Sequence, residues 1–143
     1  MSGPAQPLQK PADEWRRILG SARYAILFGE GTEPPWSSPL NALKEPGTFV
    51  CAGCHAPLFD AAAKFDSGTG WPSFFRPIDA QSLATRADLK LGMRRTEHHC
   101  ARCGGHQGHV FEDGPPPTGL RYCNNGGALL FIPEGQALPP LRG

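Results

Sequence analysis

The sequence lacks any long apolar run. No stretch approaches the roughly 20 apolar residues of a membrane helix, and Met1 to Gln9 has no apolar core of the kind a secretory leader carries. It also lacks an excess of charge, with a formal net charge of +1. Such a chain has no strong field to gather phosphates or anionic lipid, so neither nucleic acid nor membrane is an expected partner. The expected location is the cytoplasm. Long helical patterns of Lys, Glu and Ala are missing too, which argues against a helical bundle. Disorder is excluded in turn, because hydrophobic residues make up 39% and charged residues only 19% of the chain.

What is present is punctuation. Gly 18 and Pro 16 in 143 residues describe a mainly β, turn-rich body with one core. Residues 1–11, with three prolines, are expected to form a flexible arm, residues 12–135 a single domain and residues 136–143 a tail. Asp13 is expected to cap a short helix ending at Gly20, with Trp15, Ile18 and Leu19 on one face; a second starts at Ser21, carries Tyr24, Leu27 and Phe28, and stops at Gly29. Strands are expected at Thr48–Val50, Pro57–Phe59, Trp71–Phe75, Ala87–Leu91, Arg94–His99, His109–Phe111, around Leu120–Asn125 and along the apolar run Ala128–Ile132. Between Ala87–Leu91 and Arg94–His99 the chain should turn near Gly92. Asp60 to Phe65 suits a helical turn, and Gly114 to Gly119, with three successive prolines, a stiff extended connection.

Four of the five cysteines form two Cys-x-x-Cys pairs, Cys51 with Cys54 and Cys100 with Cys103. Two residues between ligands let both sulfurs of a pair reach one ion, and two pairs complete a closed tetrahedral shell, the pattern of structural zinc. Gly53, Gly104 and Gly105 offer tight, positive-φ turns that point backbone N–H groups at sulfur. Redox dithiols and disulfides are the competing readings, but a thioredoxin-like motif needs βαβ surroundings that this sequence does not have.

Cys123 stands apart in Gly119-Leu120-Arg121-Tyr122-Cys123-Asn124-Asn125-Gly126-Gly127. If Leu120 to Asn125 is extended, Arg121, Cys123 and Asn125 share one face, and a neighbouring cation favours the nucleophilic thiolate. A free cysteine can equally be a small buried hydrophobe on a core strand. The stretch alone leaves both open. His106 and His109, three apart and close to Asp113, suit proton delivery near neutral pH, or else are neighbours of the metal or surface residues. Trp71 is either one more core aromatic or a floor for an apolar methyl.

Taken together, Lys64-Phe65-Asp66-Ser67-Gly68-Thr69-Gly70-Trp71-Pro72-Ser73-Phe74, Gly92-Met93-Arg94-Arg95-Thr96-Glu97, Gly108-His109-Val110-Phe111, Asp113-Gly114-Pro115 and Gly119 to Cys123 resemble the B-type methionine sulfoxide reductases. The likeness runs from about Trp15 to Pro133 and includes Gly31-Thr32-Glu33 and both cysteine pairs. It implies two small antiparallel sheets of a β-tent-like fold, short N-terminal helices, a structural zinc site and thiol-dependent reduction of methionine-(R)-sulfoxide in oxidised proteins. On this resemblance Cys123 is the nucleophile and Trp71 receives the substrate methyl. His106 and His109 bind and protonate the sulfoxide oxygen; Asp113, Arg121 and Asn125 orient substrate, water and thiolate. Cys51, Cys54, Cys100 and Cys103 hold zinc. Thioredoxin or another thiol is the implied reductant, and a monomer is expected. Thr69 stands where many relatives carry a resolving cysteine, so direct reduction of Cys123 by an external thiol is the expectation. Asn124 and Gly126-Gly127 replace an aliphatic residue and Ser-Ala-like residues, which puts rigidity beside the thiol in question. The rival reading is a non-catalytic, zinc-braced module that binds a ligand or peptide around Trp71.

Overall fold

The computed structural model describes residues 8–89 and 94–143. A helix, α1 (Ala12–Leu27), opens the described chain, and it is kinked where Gly20 takes φ 80 and ψ 167. The two expected helices therefore exist as two arms of one kinked element. Its N-cap is Pro11 rather than Asp13, which lies with Glu14 in the first turn, where carboxylates favour exposed backbone N–H groups. The kink lets Trp15 stack on Phe28 at 4.8 Å, and Trp15 and Leu27 are buried. The expected flexible arm covered residues 1–11; of these, residues 8–11 are described, and there Leu8 N donates to Arg102 O at 2.8 Å, while residues 1–7 lie outside the described ones.

Among the described residues nine strands follow: β1 (Gly47–Cys51), β2 (Pro57–Asp60), β3 (Lys64–Phe65), β4 (Ser73–Phe74), β5 (Leu83–Asp88), β6 (Arg95–Cys100), β7 (His106–Phe111), β8 (Arg121–Asn124) and β9 (Leu129–Pro133). They form two antiparallel sheets, β2-β1-β9 and β3-β4-β8-β7-β6-β5. Phe49 and Phe59 of the smaller sheet meet Phe74 of the larger one at 5.0 and 4.2 Å between ring centroids. All three are fully buried, as are Leu58 and Cys51. That aromatic seam is the core, and it presses β4 and β8 against the smaller sheet.

Several local expectations change. The expected helical turn at Asp60 to Phe65 is a 3₁₀ turn over Ala61–Ala63, capped by Asp60 Oδ1, followed by β3. Strand β5 begins earlier than expected, at Leu83, because opposite charges face each other across the hairpin, Arg86 against Glu97 and Asp88 against Arg95. The turn expected near Gly92 lies outside the described residues. Gly114 to Gly119 is not an extended connection: Gly114 N donates to Gly119 O and Gly119 N to Pro115 O, closing a compact loop that brings β8 back beside β7. The tail is also docked, with Arg142 N donating to Cys54 O at 2.8 Å.

Candidate active site

Cys123 lies in the middle of the larger sheet, opposite His109 on β7 and Ser73 on β4. It opens into a cavity of about 200 Å³ whose walls include Trp71, His109, Arg121, Asn125, Thr32 and Thr69. A larger hollow between residues 44–48 and 132–138 has neither a cysteine nor a histidine in its lining.

Four of the wall residues are held by side-chain hydrogen bonds. Arg121 forks onto Asp113, with Nε 2.9 Å from Oδ1 and Nη2 3.1 Å from Oδ2, and its guanidinium covers Phe111 at 4.4 Å. The Trp71 indole N–H donates to Glu33 O at 3.0 Å. Asn125 lines the cavity, but its amide binds the walls together: Oδ1 accepts from Glu33 N, and Nδ2 donates to Gln107 O and Gly31 O. His109 Nε2 lies 2.8 Å from Asp88 Oδ2.

His106 is placed differently from His109. It does not line the cavity; it is buried behind His109, with ring centroids 5.6 Å apart, and its Nδ1 is 2.7 Å from Glu97 Oε2. The irregular register between β6 and β7 at His98 and His99 is what brings two histidines three apart onto one side. Burial pushes the His106 imidazole below its ordinary pKa, with Glu97 pulling the other way.

The thiol departs from the expectation of a resting thiolate. Burial pushes Cys123 up to about 11; the Arg121 charge and hydrogen bond pull it down, as expected from their shared face, while Glu33 and Asp113 push it further up. Desolvation outweighs the cation, so the resting group is a thiol.

Three residues that support the site had no role in the sequence reading: Glu33 and Glu97, which lie within the quoted motifs, and Asp88, which lies outside them. Besides the indole, Glu33 holds the turn after Cys123: its carboxylate accepts from Gly126 N at 2.7 Å and Gly127 N at 2.9 Å. Gly126 has no room for a side chain, since a Cβ there would lie 2.0 Å from Ser38 Oγ. The glycines after Cys123 are thus clamped, which answers the question about rigidity. Asp88 and Glu97 could have been found from the alternating charges of β5 and β6.

The four remaining cysteines cluster with their sulfurs within 4.8 Å of one another, and none of them lines the Cys123 cavity. Cys51 and Cys103 are 3.6 Å apart and Cys54 and Cys100 3.5 Å apart, close to the about 3.8 Å that a tetrahedral ion imposes on thiolates. All four are free thiols, so the disulfide reading fails. Gly53 N and Gly105 N donate to Cys51 and Cys103, and Gln107 Nε2 lies 3.6 Å from Cys51 Sγ. The expected positive φ falls on Gly104 but not on Gly53 or Gly105; in the first knuckle His55, four residues after Cys51, takes it instead. Buried thiols with N–H donors aimed at them fit a metal ion.

Fold and site define a thiol oxidoreductase built on paired antiparallel sheets, with a separate cysteine cluster able to hold a metal. Comparison with known proteins narrows this. Residues 19–133 match the SelR domain. The chain is 50% identical over 129 residues to the peptide methionine sulfoxide reductase MsrB of Azotobacter vinelandii, spanning 90% of this chain and 97% of that one. It is 48% identical over 132 residues to the protein of the same name from Pseudomonas putida W619, spanning 92% and 99%. The chain belongs to the SelR-domain family, the B-type methionine sulfoxide reductases. Among the described residues no helix is long and apolar enough to cross a membrane.

Proposed function

We propose that this protein reduces methionine-(R)-sulfoxide in oxidised proteins to methionine, with Cys123 as nucleophile. The observation that carries the reading is the convergence of Cys123, Trp71, His109 and Arg121 on one cavity. The sulfoxide methyl lies against the Trp71 indole, which Glu33 holds by its N–H. Its oxygen faces His109, whose ring Asp88 orients.

Because the resting group is a thiol, the Cys123 proton must leave as the sulfur attacks. An S–S bond to the sulfoxide sulfur forms while its oxygen takes up protons on the histidine side, so that no bare oxyanion leaves. Arg121 stabilises the thiolate character that develops on Cys123. The S–S and S–O bonds to the substrate sulfur then break as an S–O bond to Cys123 forms, so that methionine departs with its lone pair restored and Cys123 is left as sulfenic acid. One external thiol condenses with that group, releasing water, and a second frees Cys123 by exchange, yielding an external disulfide. Thioredoxin or a small thiol in the cytoplasm fits the role. His106 acts behind His109, and Asp113 and Asn125 fix Arg121 and the cavity wall.

The cluster of Cys51, Cys54, Cys100 and Cys103 holds zinc in this reading; the ion would neutralise the thiolates and lock the two knuckles together. Residues 12–135 act as a single domain and the chain works as a monomer. The test is an assay of both sulfoxide epimers with a dithiol donor: turnover of the R epimer that Cys123→Ser abolishes, with metal content unchanged, is the expected result. Turnover that survives in Cys123→Ser refutes the assignment.

A further inference from the structure

Trp36 is 66% exposed although it is among the largest apolar side chains of the chain. Its backbone takes φ 66, a left-handed conformation that a bulky residue adopts only when its surroundings impose it. They do so here. Trp36 N donates to Gly70 O at 2.7 Å, and Ser37 Oγ closes the turn onto Pro34 O at 2.6 Å. The indole lies over Gly70, where a Cβ would come within 2.9 Å of Trp36 Cε2. An exposed tryptophan is thus fixed in place at a cost in backbone strain, rather than left on a loose loop.

Its position relates it to the site. Thr69 and Trp71 both line the Cys123 cavity, and Gly70, the residue between them, is the one Trp36 covers. Trp36 also borders a hollow of about 370 Å³ that runs past Leu43, Lys44, Phe65 and Asp66. The Cys123 cavity, at about 200 Å³, takes one side chain and not a length of backbone. A methionine side chain is short, and each residue of an extended chain advances roughly 3.5 Å. Residues next to an oxidised methionine must therefore cross the rim within one or two positions of Gly70. A free amino acid reaches no such contact.

Resting on the reductase reading, we propose that Trp36 is a specificity contact for polypeptide substrates, binding an apolar side chain next to the oxidised methionine. Charge does not direct the choice, because Lys44 and Lys64 around the hollow are balanced by Glu45 and Asp66. Apolar contact with the indole face is what the rim offers.

The experiment compares wild type, Trp36→Ala and Trp36→Phe on three substrates: an acetylated pentapeptide with methionine-(R)-sulfoxide between leucines, its glycine-flanked counterpart, and free methionine-(R)-sulfoxide. Trp36→Ala should raise KM for the leucine peptide about tenfold with kcat unchanged. The glycine peptide and the free amino acid should stay within about twofold, and Trp36→Phe should retain most of the leucine preference. An equal loss on all three substrates, or no change on the leucine peptide, overturns the proposal. If wild type turns over all three with equal kcat/KM, the rim contact fails while the reductase reading stands; if it turns over none, both fail.

Discussion

His98 Nε2 lies 3.1 Å from Asn124 Oδ1, and both side chains are buried. The two residues sit on β6 and β8, each paired with Gly108 of β7, so the hydrogen bond passes over the one position of the middle strand without a side chain. Gly108 could carry none, since a Cβ there would fall 1.8 Å from Cys123 O. Asn124 Nδ2 is committed to Tyr122 O, which makes Oδ1 the acceptor and assigns the hydrogen to His98 Nε2. The residue after Cys123 is thereby fastened across three strands.

A buried pair of this kind predicts an asymmetric mutational response. His98→Leu or Asn124→Val alone leaves an unpaired polar group and should each cost about 1–3 kcal/mol in denaturant unfolding, whereas the double variant should recover much of the loss. Strictly additive losses in the double variant would mean that the two side chains do not couple.

Glu33 predicts two effects of opposite sense. Its carboxylate holds Gly126 and Gly127 N–H, so Glu33→Gln should lower stability by roughly 1–3 kcal/mol, as expected for loss of a charged acceptor. The same charge pushes the Cys123 pKa up, so the variant should alkylate faster with iodoacetamide at pH 8. Slower alkylation in a folded Glu33→Gln protein contradicts this electrostatic account.

For wild type, alkylation of Cys123 should climb with pH and level off only near 11, and Arg121→Met should move the profile to higher pH, because it removes the group that pulls the thiol down. The linkage sign follows. A folded-state pKa raised above the unfolded value stabilises the fold below the unfolded thiol pKa, and that contribution is lost as pH rises through 11. A plateau near pH 7 would show that the Arg121 cation outweighs burial.

These relationships also mark how far the sequence could be read. Strand alternation correctly put Arg121 beside Cys123, because period 2 is a local property of an extended chain. The Cys-x-x-Cys spacing correctly grouped Cys51, Cys54, Cys100 and Cys103, because two-residue loops dictate ligand reach. It did not reveal that His106 sits behind His109, which depends on a register irregularity between strands. Nor did composition expose burial as the dominant influence on Cys123, or Glu33 as a clamp on residues more than ninety positions away. Long-range closure and desolvation have no local signature.

The cysteine cluster predicts that metal and fold are lost together. Cys51→Ser removes a fully buried member of the set that joins the end of β1 to the turn after β6, so metal content should fall and the melting temperature drop by more than about 10 °C. Cys123→Ser, outside that cluster, should alter neither. A Cys51→Ser protein that keeps its metal and its melting behaviour would remove the structural role.

The last prediction concerns what Cys123 becomes after one turnover. Thr69 shares its cavity, and its hydroxyl is taken up by Ser67 Oγ at 2.7 Å, so no thiol stands there to condense with a sulfenic acid. The other four cysteines are gathered in a cluster of their own, none of them in the cavity wall. After a single oxidising turnover without reductant, mass spectrometry should find Cys123 as sulfenic acid, trappable by a dione and free of any intramolecular disulfide. Thr69→Cys should change the product, because a thiol on the same wall can attack the sulfenic sulfur and expel water. An intramolecular disulfide to Cys123 in the unaltered protein would instead require one of the cluster cysteines to leave its site, and would refute direct reduction by an external thiol.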